Sequence, residues 1–274
     1  MESIIFSYIT GQSATSSNNL FYKTGGSPTI AVGTLPLTAI ASSDPRFLAP
    51  STTITSADFH LKNSSPAVNL GSPDSVTAGY VVDFDQFSVP LGGIVDIGAH
   101  EQALQNGSFE QTGGAGNSLF TPPWSFNIYP GASGFPLQDT NGGSTCAGSL
   151  GTKSGRIKIT LANVANSYFV QLTQGNFSLY KDSNYKVTFC AKAATARIID
   201  LVLQGNASPY TVHKSQTISL TTSWKSFTVQ LPISPSATPT GLPEIFASDV
   251  FLGFDVAQSA SDVFIDDVLI YRTK

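Results

Sequence analysis

Beyond residue 150 the chain alternates apolar and polar side chains with a period of two, and that pattern constrains its fold more than anything else in the sequence. In "GRIKITL" Ile157, Ile159 and Leu161 share one face, and in "NYKVTFCAKA" Tyr185, Val187 and Phe189 do the same. Similar runs follow at "RIIDLVLQ", "HKSQTISL", "WKSFTVQL", "VFLGFDVA" and "DVFIDDVLIY", separated by clusters of Gly, Pro, Asn and Ser. Apolar spacing of three and four is almost absent, so helices are not expected. Regularly spaced short strands with turn signals between them point to an antiparallel β-sandwich.

The first hundred residues follow another rule. Their apolar bursts are short ("IIFSYI", "NNLFYK", "AVNLG", "YVVDF", "IVDIGA"), do not alternate cleanly, and sit in long polar stretches. Such bursts suit the short parallel strands of a β-helix, in which each coil covers its neighbour and a cap closes the stack. The join falls in "VDIGAHEQALQNGSFE", residues 95–110, where an ending meets a beginning across a linker, "QALQ", too short for free swinging. The expected division is 1–102 for the terminal coils and cap and 103–274 for the sandwich, an all-β chain throughout.

Both parts carry resemblances. "SSDPRFLAPSTTITSADFHLKNSSPAVNLGS" followed by "DFDQFSVPLGGIVDIGAHE" resembles the C-terminal closing segment of right-handed parallel β-helix proteins of the polysaccharide-lyase type. Asp44, Pro45, Phe47, Asp58, Phe59, Leu61, Ser65, Pro66, Ala67, Asp83, Asp85, Val95, Asp96, Gly98 and Glu101 match that pattern, and "NNLFYKTG" looks like one coil. From "NGSFE" to "VFIDDVLIY" the chain resembles the jelly-roll carbohydrate-binding modules found beside xylanases and β-glucanases. "PPWSF", "YFVQLTQGNFSL", "NYKVTFCAKA", "SWKSFTVQL" and "VFLGFDVA" come in the matching order.

The resemblance implies a polysaccharide or oligosaccharide partner, with xylan or β-glucan the leading class. Pyranose rings need flat apolar surface, and their hydroxyls need amides, carboxylates or hydroxyls. Aromatics outside the core period are Trp124 and Tyr129 in "PPWSFNIYPG" and Tyr210 in "GNASPYTVH". Trp124 is as well suited to a core, whereas Trp224 is expected to pack inward. If Ile199, Leu201 and Leu203 face inward, Asp200 and Gln204 face the other way. Gln171, Lys192 and His213 complete the candidates, each with a solvated surface position as the alternative reading. The resemblance also implies a structural Ca2+ between the first and last strands, held by Glu110, Asp266 and carbonyls near Ser108 and residues 151–155. Asp267, beside Asp266, leaves open which aspartate turns inward.

Other functions find less support. Charged residues make up 12% of the chain and the net charge is −4, without a basic cluster, so nucleic acid is not an expected partner. No run is long enough for a membrane span. There is no GxSxG, HExxH or phosphate loop, and His60 and His100 have no evident nucleophile partner. Asp83 with Asp85 and Asp266 with Asp267 are adjacent in sequence, which is not the separation a glycosidase needs. The sequence therefore points to a non-catalytic piece. Its alternatives are a β-helix lyase or hydrolase with activity of its own, and a surface or phage adhesin. Cys146 and Cys190 allow one disulfide, and no CxxC or His-rich spacing points to zinc. The composition is that of a secreted protein, yet "MESIIFSYITGQ" lacks a signal peptide's features, so the natural start is expected upstream of Met1. Open strand edges on an incomplete β-helix would invite a dimer.

Overall fold

A computed structural model describes residues 19–21, 40–51, 53, 57–62, 65–71, 82–85, 87, 89, 95–110, 124–146, 149, 151–233 and 245–273. Ten strands build two five-stranded antiparallel sheets packed as a sandwich. Four shorter strands precede them: β1 (Asn19–Phe21), β2 (Ile40–Ser42), β3 (Phe47–Ala49) and β4 (Asp58–Leu61). The sandwich strands are β5 (Ser125–Ile128), β6 (Ser133–Asp139), β7 (Ser154–Leu161), β8 (Val170–Tyr180) and β9 (Asn184–Ala193). They continue with β10 (Arg197–Gly205), β11 (Val212–Leu220), β12 (Lys225–Pro232), β13 (Ile245–Asp255) and β14 (Val263–Thr273). The first sheet runs β11-β10-β13-β8-β5 and the second β12-β9-β14-β7-β6, so the chain crosses repeatedly between sheets as in a jelly roll.

The period-two pattern does what its sequence promises in the central strands. Tyr185, Val187 and Phe189 on β9 are buried, as are Ile199, Leu201 and Leu203 on β10 and Val250, Leu252 and Phe254 on β13. Leu161 departs from the pattern: Ile157 and Ile159 enter the core, but Leu161 is 54% exposed. It ends β7 opposite Ser133 of edge strand β6, beside a register shift between Ser133 and Gly134 that interrupts the alternation.

The disulfide forms. Cys146 joins Cys190 on β9, closing a separation of 44 residues. A loop of that length constrains the unfolded chain enough to contribute about 2–4 kcal/mol.

The N-terminal segment does not stand apart. Strands β1 and β2 pair in parallel, Asn19 opposite Ile40, whereas β3 and β4 pair antiparallel. The acidic residues of the closing pattern bind backbone. Asp83 accepts the N–H groups of Phe87 and Glu101 (both 2.7 Å), Asp96 those of Asn69 and Gln102, and Glu101 that of Asp96 (2.9 Å). Each carboxylate thus satisfies a turn that has no ladder partner. Phe87, Leu104 and Phe109 enter the sandwich core, Phe87 meeting Phe177 and Tyr185 edge-on. Across the join, Gln105 and Gln174 exchange two hydrogen bonds, 2.6 and 2.8 Å.

Candidate functional site

With Ile199, Leu201 and Leu203 pointing inward, the alternate residues of the first sheet must point outward. The strand register sets them in rows. Asn127 on β5 lies opposite Gln171 on β8, Gln171 opposite Asp255 on β13, Asp255 opposite Asp200 on β10, and Asp200 opposite Thr217 on β11. One polar row therefore crosses all five strands. Gln171 donates to Asp255 (2.8 Å), and Thr217 donates to Asp200 (2.7 Å). Gln258 donates to the second Asp200 oxygen at 3.2 Å. It sits on a loop fixed by Arg197, whose guanidinium donates to the carbonyls of Val256, Ser259 and Ser261.

The neighbouring rows are flatter. Ser125, Thr173, Gly253, Val202 and Ser215 form the next, and Gly175, Phe251, Gln204 and Val212 the one after. A Cβ added to Gly253 would stand 2.9 Å from both the Phe251 ring and Val202, so glycine is what lets that ring lie down across the sheet. Val202, Phe251 and Val212 thus form an apolar patch within a mixed surface beside the line of hydrogen-bonding groups.

Burial acts on the row. It pushes Asp255 up to about 7, a rise reinforced by the Asp200 charge and opposed by the Gln171 hydrogen bond. Desolvation also lowers the His213 pKa.

Of the residues singled out from sequence, Gln171, Asp200 and Gln204 come together on this face. Tyr210 is 56% exposed and joins them through its carbonyl, which accepts from Gln204 at 2.8 Å. His213 is the second residue of β11, edge-on to Phe246 with ring centroids 5.6 Å apart. Tyr129 is 41% exposed, and its N–H binds the Phe169 carbonyl just after β5, next to the Asn127 end of the row. It forms an aromatic group with Tyr168, itself 45% exposed, and Phe169.

Two residues lie elsewhere. Trp124 is in the core, 5% exposed, its indole N–H donating to the Asn106 carbonyl at 3.1 Å. It leads directly into β5, whose Phe126 also packs against the core, so its ring meets Phe109 and Phe254 rather than solvent. Lys192 is on the second sheet, its ammonium 5.0 Å above the Trp224 ring and 4.9 Å above Phe264. That contact holds Trp224 half-exposed on the outer surface, against the inward packing its flanking strand suggests.

The residues missed were Asn127, Thr173, Thr217, Phe251 and Asp255. "VFLGFDVA" contained a signal: once Leu252 and Phe254 are assigned inward, Phe251, Gly253 and Asp255 must be outward.

No family model matches the chain. Neither does any curated protein. Among solved structures it is similar to one titled "CBM4 structure and function", at 23% identity over 62% of this chain and 99% of that one, TM-score 0.43. It is also similar to the CBM22-1 and GH10 modules of Clostridium thermocellum xylanase 10B complexed with xylohexaose, at 14% identity over 55% and 26%, TM-score 0.35. A bacteriophage CBA120 tailspike domain matches at 12% over 63% and 21%, TM-score 0.43.

Of the residues singled out for calcium, Asp266 lies on β14 and Glu110 reaches the loop before β7. Glu110 accepts the N–H groups of Thr152 and Lys153 on one oxygen, both at 2.8 Å, and the Thr152 hydroxyl approaches the other. A Cβ at Gly151 would press on that carboxylate, so glycine lets Glu110 reach these N–H groups without shifting. Asp266 is completely buried and binds the N–H of Ser144 (2.8 Å) and of Asp267 (2.9 Å), while Asp267 accepts the Ser144 hydroxyl. Of the two aspartates it is Asp266 that turns inward. Burial first, and then the Asp267 charge, push Asp266 up to about 7. Ser108 is buried between Gly107, whose carbonyl takes the Val268 N–H, and Phe109. The hydroxyls of Ser149 and Ser154 are buried without a hydrogen-bond partner, and Ser154 immediately precedes the Gly155 that pairs with Ile265. A completely buried carboxylate such as Asp266 is the kind of oxygen ligand that a hard, oxygen-seeking cation prefers.

Proposed function

We propose that the outer face of the first sheet binds polysaccharide or oligosaccharide outside the cell without cleaving it, and that the chain anchors a polysaccharide-degrading enzyme to its substrate. The observation that carries this reading is the five-residue row Asn127, Gln171, Asp255, Asp200 and Thr217. At about 4.8 Å between strands it spans roughly 19 Å, enough for an oligosaccharide of a few rings. Its members are amides, carboxylates and a hydroxyl, with no cation among them, which suits neutral β-linked chains such as xylan or β-glucan better than polyuronates. Exposed aromatic surface for stacking comes from Tyr129, two residues beyond Asn127 at one end of the row, and from Tyr210, whose carbonyl binds Gln204 farther along β10.

Affinity gel electrophoresis against xylan, β-glucan, pectin and alginate tests the proposal. Retardation by the neutral glucans or xylan is expected, weakened about tenfold or more in Asp200→Ala and Tyr210→Ala. Unretarded migration in all four gels would end it, and release of reducing ends by the pure protein would favour a catalytic reading.

The N-terminal segment fits the same proposal as the last coils and cap of a parallel β-helix, a reading supported by the parallel pairing of β1 with β2. Structural Ca2+ held by Glu110, Asp266 and carbonyls near Ser108 and residues 151–155 is part of it; the ion would supply charge neutralisation at a buried carboxylate. Removing calcium with EDTA should then lower the melting temperature by several degrees, and Asp266→Asn should abolish that difference. An identical melting curve in EDTA would contradict the calcium site.

A further inference from the structure

We infer that His60, Asp85 and His100 form a binding site for a divalent transition-metal ion, with zinc the best-suited species, which fastens the N-terminal segment to the sandwich. The three residues come from three separate pieces of chain, 25 and 15 residues apart, which is why no spacing in the sequence reveals them. Their ligand atoms lie within 4.8 Å of one another. His60 Nε2 is 2.5 Å from Asp85 Oδ2, and His100 Nδ1 is 3.2 Å from the same oxygen. Ligands bound tetrahedrally to zinc at about 2.1 Å stand roughly 3.4 Å apart, so sub-ångström side-chain adjustments accommodate the ion.

Three further features favour a metal over a plain hydrogen-bond cluster. Asp58 Oδ1 lies 2.6 Å from His60 Nδ1, the carboxylate–imidazole pairing that fixes a ligating histidine's tautomer and leaves Nε2 for the ion. All three side chains are shielded, at 16%, 7% and 13% exposed for His60, Asp85 and His100. Beside them a cavity of about 10 Å³, lined by Leu48, His60, His100 and Tyr271, has room for one water-sized guest as fourth ligand. A volume that small suits a water or an ion rather than a sugar ring, and the ion is assigned a structural role. Two imidazoles with one carboxylate select zinc, nickel or cobalt over calcium, which prefers all-oxygen sites.

The location explains what the metal would do. His60 belongs to β4, Asp85 to the turn after Val82, and His100 to the closing motif. The His60 ring lies tilted against Tyr271 of β14 with centroids 4.4 Å apart, and Arg272 donates to the Asp85 carbonyl at 3.3 Å. One ion would hold the hairpin, the turn and the cap together against the last strand. Binding displaces any proton from the two ligating nitrogens to solvent.

The full chain should be titrated with zinc in excess calcium, using a chromophoric zinc chelator as competitor. One equivalent of zinc is expected, with a higher melting temperature. His60→Gln and His100→Gln should each weaken binding at least about 100-fold and Asp58→Asn about 10- to 100-fold, whereas His213→Gln should leave it unchanged. Because the histidine variants could misfold, the wild-type chain provides a second measurement. Nitrogen-15 chemical shifts of its imidazoles should change on zinc addition at His60 Nε2 and His100 Nδ1 and stay constant at His213. Failure to bind zinc, equal binding by the His60→Gln/His100→Gln chain, or shifts confined to His213 would overturn the site.

Discussion

Trp124→Ala is expected to lower the stability of the chain by about 3–5 kcal/mol, measured by chemical denaturation. The ring is 5% exposed and packs against Phe109 and Phe254, with centroids 5.3 and 6.5 Å away. Removing it opens a cavity between the joining segment and the sandwich, and leaves the Asn106 carbonyl without the indole N–H that now binds it at 3.1 Å. Trp124→Phe retains most of the packing and loses that hydrogen bond, so a cost of about 1–2 kcal/mol is expected. A loss below about 1 kcal/mol in the alanine variant would contradict a core role, and a loss of sugar binding at unchanged stability would return the tryptophan to the binding face.

Asp255→Asn should stabilise the chain above neutral pH. Burial raises the Asp255 pKa from 3.8 to about 7 in the folded state. The folded protein therefore holds this proton more tightly than the unfolded chain does. The associated stability is complete below about pH 4 and is lost as pH rises through 7. Asp83, raised by burial to about 6, acts in the same direction. Asparagine retains an oxygen to accept the Gln171 hydrogen bond and carries no charge, so the gain at pH 8 is about 2–4 kcal/mol and vanishes near pH 4. Urea midpoints at the two pH values measure it. A variant that is less stable than the wild type at pH 8 would show that the charge is compensated in the fold.

These two residues mark where sequence reasoning succeeds and where it stops. Alternation assigned the inward faces of β9 and β10 correctly because burial along a strand is a local property. The same logic placed Asp200 and Gln204 outward, and they are. Trp124 was ambiguous because it precedes its strand, where no period applies. Trp224 likewise sits just before its strand, β12, and its ring lies under the ammonium of Lys192 on the neighbouring strand β9, a contact that no local pattern reveals. The polar row itself draws on residues 127, 171, 200, 217 and 255, brought into line only by register across five strands. The cluster of His60, Asp85 and His100 arises in the same way. The change of pattern divided the chain at residue 102, and no pattern foretold that Phe87, on the far side of that boundary, packs into the sandwich core.

The most direct test of a sugar-binding outer face compares two surfaces of one molecule in the same xylan and β-glucan gels. Asp200→Ala and Gln171→Ala alter the row on the first sheet, and Lys192→Ala alters the second sheet. Lost retardation for the first two, with wild-type retardation for Lys192→Ala and native circular dichroism in all three, is the predicted result. Retardation that survives both row variants, or that disappears with Lys192→Ala alone, would contradict it.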